Sequence, residues 1–394
     1  MSKFFHLRDM VGSIKEWLCQ NLSRVTSTGV FLPEIDGLRF IAILAVVLHH
    51  MVGQFLLFSH RIAEPFSWTE AAKLSPIVEI LEKGDLGVKL FFVISGFILC
   101  YPFAKAYCGR GTSPELSKYF LRRISRLEPP FIIALCLVSL LRLLTGSFPE
   151  WQRFVASLFY SHSFIYGETS RISMVLWSLE VEVQFYCIAP LIARVFLIPN
   201  ATLRRLLLVL AVISASFFSS AFVAQWGIRW QLSLGNFLQY FLAGFILVEI
   251  YLSADGWGER GWWWDGGALI AGGLILAGGT TGLPFLILAF YIGLLRGRVG
   301  YFLLSHRAIT ITGGMCYTIY MYHVFLMSIF CRLLPQSGFV GMPLAPAFFL
   351  FAVLCGFFVL AGSAVPFILF ERPCMVREWY KKPLRSLFPF LSKK

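Results

Sequence analysis

The chain has 394 residues, 58% of them hydrophobic and only 14% charged, with a mean hydropathy of +0.74, which is more apolar surface than one soluble core can hide. The formal charge of +13 is spread between apolar runs rather than gathered on a soluble face, so it points to an anionic lipid leaflet and away from nucleic acid. Nine cysteines, an odd number lying mostly inside apolar runs without metal-ligand spacing, argue against a disulfide framework and give no metal site.

In chain order, residues 1–33 read as a cytoplasmic amphipathic segment. Phe4, Leu7, Val11, Ile14, Leu18 and Leu22 recur at helical period among Lys3, Arg8 and Lys15, which fits a helix lying on the membrane better than a cleaved leader. Residues 34–373 are expected to form one all-α polytopic transmembrane domain, because runs of about 20 apolar residues suffice to cross the bilayer and recur almost end to end. About ten helices are predicted, near residues 38–58, 86–104, 128–147, 174–198, 206–224, 232–252, 266–280, 282–295, 308–331 and 346–370. The seventh and eighth share a stretch broken by Gly278, Gly279, Gly282 and Pro284, so a tight hairpin competes with one span plus a loop; losing a single span would invert everything after it. Residues 374–394 read as a basic cytoplasmic tail. With the N-terminus inside, 24 Lys and Arg fall in inner segments, 7 in outer ones and 3 (Arg39, Lys89, Arg142) within spans, so both termini are expected in the cytoplasm.

An ionisable group inside a span costs about 2.5 kcal/mol or more, which makes each one a candidate functional residue. In the first span Arg39 and His50 are eleven residues apart, about 20° around a helix and about 16 Å along it, so they share a face without touching. His49 points about 80° away. Asp36, one turn before Arg39, is placed to pair with it. The plainer reading is that Arg39 marks the end of the span and His50 bonds a neighbouring helix. Lys89 in the second span has no evident partner role. The run Lys118 to Arg126, with Arg122, Arg123 and Arg126, is either positive-inside punctuation or a cluster able to hold phosphates. At the start of the fourth span, Trp177-Ser178-Leu179-Glu180-Val181-Glu182-Val183-Gln184-Phe185-Tyr186 places Glu182 and Tyr186 one turn apart, and Glu182 is a carboxylate able to orient a histidine. Glu180 reads as a residue at the water boundary. In the ninth span Tyr317, Tyr320 and His323 follow at three-residue steps.

Together these segments resemble the acyltransferase 3 family of membrane O-acyltransferases, in the family's order from about Glu34 to Arg372. The motifs are Asp36-Gly37-Leu38-Arg39 with His50, Gly87 to Phe97 including Ser95, Arg122 to Pro129, Trp177 to Tyr186, Tyr317 to His323, and Glu371-Arg372-Pro373. Lys89 stands where the family usually has an aspartate, Val183 replaces the second of two adjacent glutamates, and Cys316 stands where a serine is common. The resemblance implies transfer of an acyl group, most often acetyl from acetyl-CoA, to a hydroxyl of a carbohydrate such as lipopolysaccharide or exopolysaccharide, or of a small natural product. It implies acyl-CoA as a donor substrate with no tightly bound cofactor, a carbohydrate or lipid-linked glycan acceptor, and a multi-pass protein of a bacterial inner membrane. The phosphates would meet Arg39, Arg122, Arg123 and Arg126. His50 would act as general base or acyl carrier with Glu182 fixing its tautomer, and Asp36 belongs to the same catalytic group. Ser95, Trp177, Tyr186, Tyr317, His323 and Glu371 would support substrate or structure. Some members carry a fused extracytoplasmic esterase-like domain; this chain is too short to hold one, so a separate extracytoplasmic transferase partner is expected if delivery needs one. A proton-coupled transporter is the alternative of a different class, since buried Arg, His and Glu also mark ion pathways, but no repeated halves are visible.

Overall fold

The structure, a computed structural model, describes residues 16–25, 31–59, 76–112, 114–148, 150–254, 256–278, 282–335, 339, 342–383 and 388. Among these, all regular structure is helical. Hydrocarbon offers a backbone no hydrogen-bond partners, so a spanning segment must satisfy its N–H and C=O groups internally. The main helices are α1 (Pro33–Ser59), α2 (Leu86–Tyr107), α3 (Leu116–Leu144), α4 (Trp177–Ile192), α5 (Ala201–Ala221), α6 (Leu234–Ser253), α7 (Trp262–Leu276), α8 (Leu283–Arg296), α9 (Cys316–Leu333) and α10 (Leu344–Pro366). Apolar residues such as Leu210 and Phe217 on α5, and Phe349 and Phe357 on α10, are exposed, as expected of a lipid-facing rim.

Eight helical segments of the described chain are long and apolar enough to cross a membrane, fewer than the ten expected. The shortfall lies in the seventh and eighth: α7 has 15 residues, about 22 Å against a hydrocarbon core of roughly 30 Å, and α8 has 14. They pack side by side as a hairpin, and a bend of 86° separates α8 from the following helix Arg298–Leu304. The feared inversion does not occur. Arg39 lines a cavity with Cys316, and eleven residues on His50 meets His323, seven residues beyond Cys316, so α1 and α9 run parallel. Parallel packing requires the hairpin to contribute two crossings or none. The two ends of the described chain accordingly meet: Arg372 donates to the carbonyls of Gln20 (3.0 Å) and Ser23 (3.3 Å). Phe4, Leu7, Val11 and Ile14 lie outside the described residues; residues 16–22 are helical, with Leu22 packed on the core and Leu18 exposed.

Two contacts fix the walls of the interior. α2 and α6 cross at glycines: a Cβ on Gly96 would lie 2.1 Å from the Phe241 carbonyl, and one on Gly244 2.3 Å from that of Val93, so only glycine allows this approach. In α3, Pro129 has no N–H to give the Ser125 carbonyl one turn earlier. The Trp379 indole fills the vacancy, donating to that oxygen at 2.7 Å. The next break, at Pro130, leaves α3 bendable just beyond its arginines.

Candidate active site

Inside the crossing of α1, α2, α3, α4 and α9 lies a cavity of about 110 Å³. The inward positions of α3, Tyr119, Arg123, Arg126 and Pro130, follow a 3.6-residue period, which brings Arg123 and Arg126 to the cavity and leaves Arg122 exposed outside it. Arg39 reaches the same cavity from α1, Ser95 from α2, Glu182 and Tyr186 from α4, and Tyr317 and Tyr320 from α9. Glu371 comes from a π-helical turn, Phe367–Glu371, that follows α10; such turns re-aim side chains and recur at functional sites.

The charges are held in place. Asp36 is fully buried and accepts from Arg39 at 2.6 Å and from Arg24 at 2.8 Å, so it positions Arg39 rather than lining the cavity itself. Arg24 was not singled out in the sequence, because it lies twelve residues before Asp36 and no helical spacing links them. Burial, with Arg39 beside it, pulls its guanidinium below the ordinary arginine value. Glu182 accepts from Ser95 Oγ at 2.7 Å and is also reached by the Tyr186 hydroxyl. The Arg123 guanidinium lies 5.8 Å over the Tyr186 ring. Glu371 accepts from the Thr318 backbone N–H at 3.0 Å and from the Thr318 hydroxyl. Tyr317 donates to the Leu127 carbonyl at 3.0 Å. Among the described residues, Arg126 Nε is buried with no hydrogen-bond partner. A buried, unpaired guanidinium N–H is costly, and an anion in the cavity would satisfy it.

The structure does not join Glu182 to His50: no hydrogen bond links them among the described residues. Another histidine takes the orienting place. His323, fully buried, has Nδ1 at 2.7 Å from the Tyr320 carbonyl and 3.1 Å from that of Ile319. Carbonyls only accept, so Nδ1 carries the proton and Nε2 carries a lone pair. That lone pair lies 3.3 Å from His50 Nδ1, which is also 2.9 Å from the Val46 carbonyl. Both neighbours accept, so His50 Nδ1 is the protonated nitrogen and His50 Nε2 is left basic. His50 is not on the cavity wall; Tyr320 is, with its ring 5.9 Å from that of His323 and its hydroxyl 2.5 Å from Ser178 Oγ.

The remaining expected residues have structural roles. His49 faces the other way, its Cβ against Gly84. Trp177 packs on Phe237 and the core rather than on the cavity. Glu180 is buried, not at a water boundary, and accepts the Ser163 N–H at 2.9 Å, capping the short helix His162–Tyr166. Lys89, one turn inside α2, pairs with Asp85 at 3.5 Å and is partly exposed, which accounts for its charge.

These features define an all-helical membrane protein with an arginine-rich, carboxylate-containing internal cavity beside an oriented histidine pair. The chain belongs to the acyltransferase 3 family: the family profile described as an acyltransferase domain matches residues 32–365. It is similar to the Staphylococcus aureus (strain NCTC 8325 / PS 47) O-acetyltransferase OatA, 27% identical over 198 residues, 47% of this chain and 28% of that protein. It is also similar to the Staphylococcus aureus (strain COL) protein named "Putative O-acetyltransferase SACOL0978", 29% identical over 174 residues, 41% of this chain and 24% of that one. The matched region thus spans about a quarter of the length of these relatives. No solved structure matches.

Proposed function

We propose that this protein is a membrane O-acyltransferase that moves an acetyl group from acetyl-CoA to a hydroxyl of a cell-surface carbohydrate, free or lipid-linked, such as lipopolysaccharide O-antigen or exopolysaccharide, at a bacterial inner membrane. The observation that carries it is the cavity in which the unpartnered Arg126 Nε, Arg39 and Arg123 converge, with the His323–His50 pair behind its Tyr320 wall. The arginines favour the donor's phosphates on their side of the cavity, with its acyl end toward Ser178 and Tyr320. Relatives named as O-acetyltransferases support acetyl as the group moved.

His50 Nε2 takes the proton of the acceptor hydroxyl as its oxygen attacks the thioester carbonyl. The tetrahedral intermediate collapses, the C–S bond breaks, and the proton on His50 passes to the departing CoA thiolate. His323 holds His50 in the tautomer with Nε2 free before proton transfer; Glu182, tied to Ser95 and Tyr186, balances the arginines in the cavity wall. Labelled acetyl-CoA supplied to inside-out vesicles tests this. The expected result is label in membrane-associated glycan, reduced by about 10²–10⁴ in His50→Ala. No label in any glycan, with His50→Ala indistinguishable from wild type, overturns it.

A further inference from the structure

A second cleft lies away from the histidines, between the end of α6 and the α7–α8 hairpin. Its volume is about 590 Å³, and Arg205, Ser253, Trp264 and Arg296 line it together with Ile250, Gly267, Ala289 and Ile292. It lies at the bundle end where α1 begins, because Trp257, just past α6, donates to Glu34 at 2.7 Å. Arg296 lies 5.0 Å over the Trp264 ring, and its Nε is buried with no hydrogen-bond partner among the described residues. Arg205 donates to Ser253 Oγ at 2.8 Å and to Glu249 at 3.1 Å. Glu249 is already held by two hydrogen bonds from Arg204, at 2.7 and 2.9 Å. Asp265, near the start of the hairpin, is occupied by the backbone N–H groups of Arg298, Val299 and Gly300. The cleft therefore keeps a surplus of positive charge.

Its other wall is apolar, built from Ile250, Ala289, Ile292 and the bare backbone of Gly267. Elsewhere on α7, outside the cleft lining, Leu269 is 78% and Ile270 68% exposed, a face that only hydrocarbon can cover favourably and that sets the hairpin at the lipid boundary. At the head of the same helix Trp262 and Trp263 are exposed, the pairing of tryptophan with arginine that marks the headgroup level of a bilayer. One cleft thus offers guanidiniums at headgroup depth and, next to them, an apolar groove widened by Gly267.

We propose that this cleft binds an anionic glycerophospholipid of the bilayer, its phosphate on Arg296 and Arg205 and its acyl chain in the groove, wedging the hairpin against α6. The cationic surplus favours a net-negative head over a zwitterionic one. The site is independent of which donor and acceptor the enzyme uses.

Native mass spectrometry of the full chain released from nanodiscs containing phosphatidylglycerol and phosphatidylcholine tests it. Wild type should retain phosphatidylglycerol preferentially, and Arg296→Gln should weaken that retention about fivefold or more. Gly267→Leu should do the same by filling the groove; the position is open, with nothing within 4 Å of an added Cβ, so this variant should fold. Arg298→Gln, a charge outside the cleft stacked on Trp262, should leave retention unchanged. Equal retention of the two lipids, indifference to both cleft variants, or displacement of phosphatidylglycerol by an equimolar polyisoprenyl phosphate would each overturn the assignment.

Discussion

His50 has its reactive nitrogen chosen for it by one carbonyl oxygen that can only accept and one imidazole whose lone pair faces it. Replacing His323 with alanine removes the imidazole and leaves the Val46 carbonyl alone to hold the tautomer. The expected outcome is a kcat lower by at least about tenfold, short of the roughly 10²–10⁴ lost with the base itself, with KM for the donor little changed; steady-state kinetics in reconstituted vesicles measure the split. The arginines divide differently. Arg126→Gln should raise donor KM about tenfold or more, because a buried charge-assisted bond is lost, whereas exposed Arg122→Gln should leave it within about twofold. From the sequence, Arg39 groups with Arg122, Arg123 and Arg126, and three of these four line the cavity. What spacing alone did not reveal was that Arg122 faces out, and that a histidine rather than Glu182 supports His50: a step of 273 residues joins that pair, which no local period encodes.

At the scale of elements, the helices read clearly from their apolar runs, because hydrocarbon leaves helical hydrogen bonding as the only economical choice for a lipid-exposed segment. The motif Gly87 to Phe97 was visible as a string, and the structure divides its labour: Gly87 packs against Ala42 and Val46 of α1, Ser95 holds Glu182, and Gly96 seats α2 on α6. A Gly96→Ala variant should lose about 1–3 kcal/mol through overpacking, visible as a lower thermal midpoint in detergent, while donor KM in the surviving fraction stays near wild type. The hairpin was the least legible element. Its glycines signalled a break, but the length of each arm against the bilayer is decided by where tertiary packing ends α7 and α8, and composition does not state that.

For the whole molecule, the meeting of residues 20–23 with Arg372, and of Trp379 with Ser125, gathers both ends of the described chain around the helix that bears the cavity arginines. If the basic segments face the cytoplasm, acetyl-CoA should be used by inside-out vesicles and refused by sealed right-side-out ones, and a protease that reaches the tail should do so only in the former. Equal use by both orientations would contradict the sidedness. The glycine crossing of α2 on α6 also bears on which acyl groups such a protein could be taught to carry. Ile94 and Ile98 sit on that wall, where backbone meets backbone and no retreat is available, while Leu127 sits on α3, just before two prolines and with much of the helix turned to lipid. Selection for butyryl or longer donors should therefore collect substitutions at Leu127 and its neighbours on α3 and leave the α2 wall alone, a pattern that sequencing the selected variants would reveal directly.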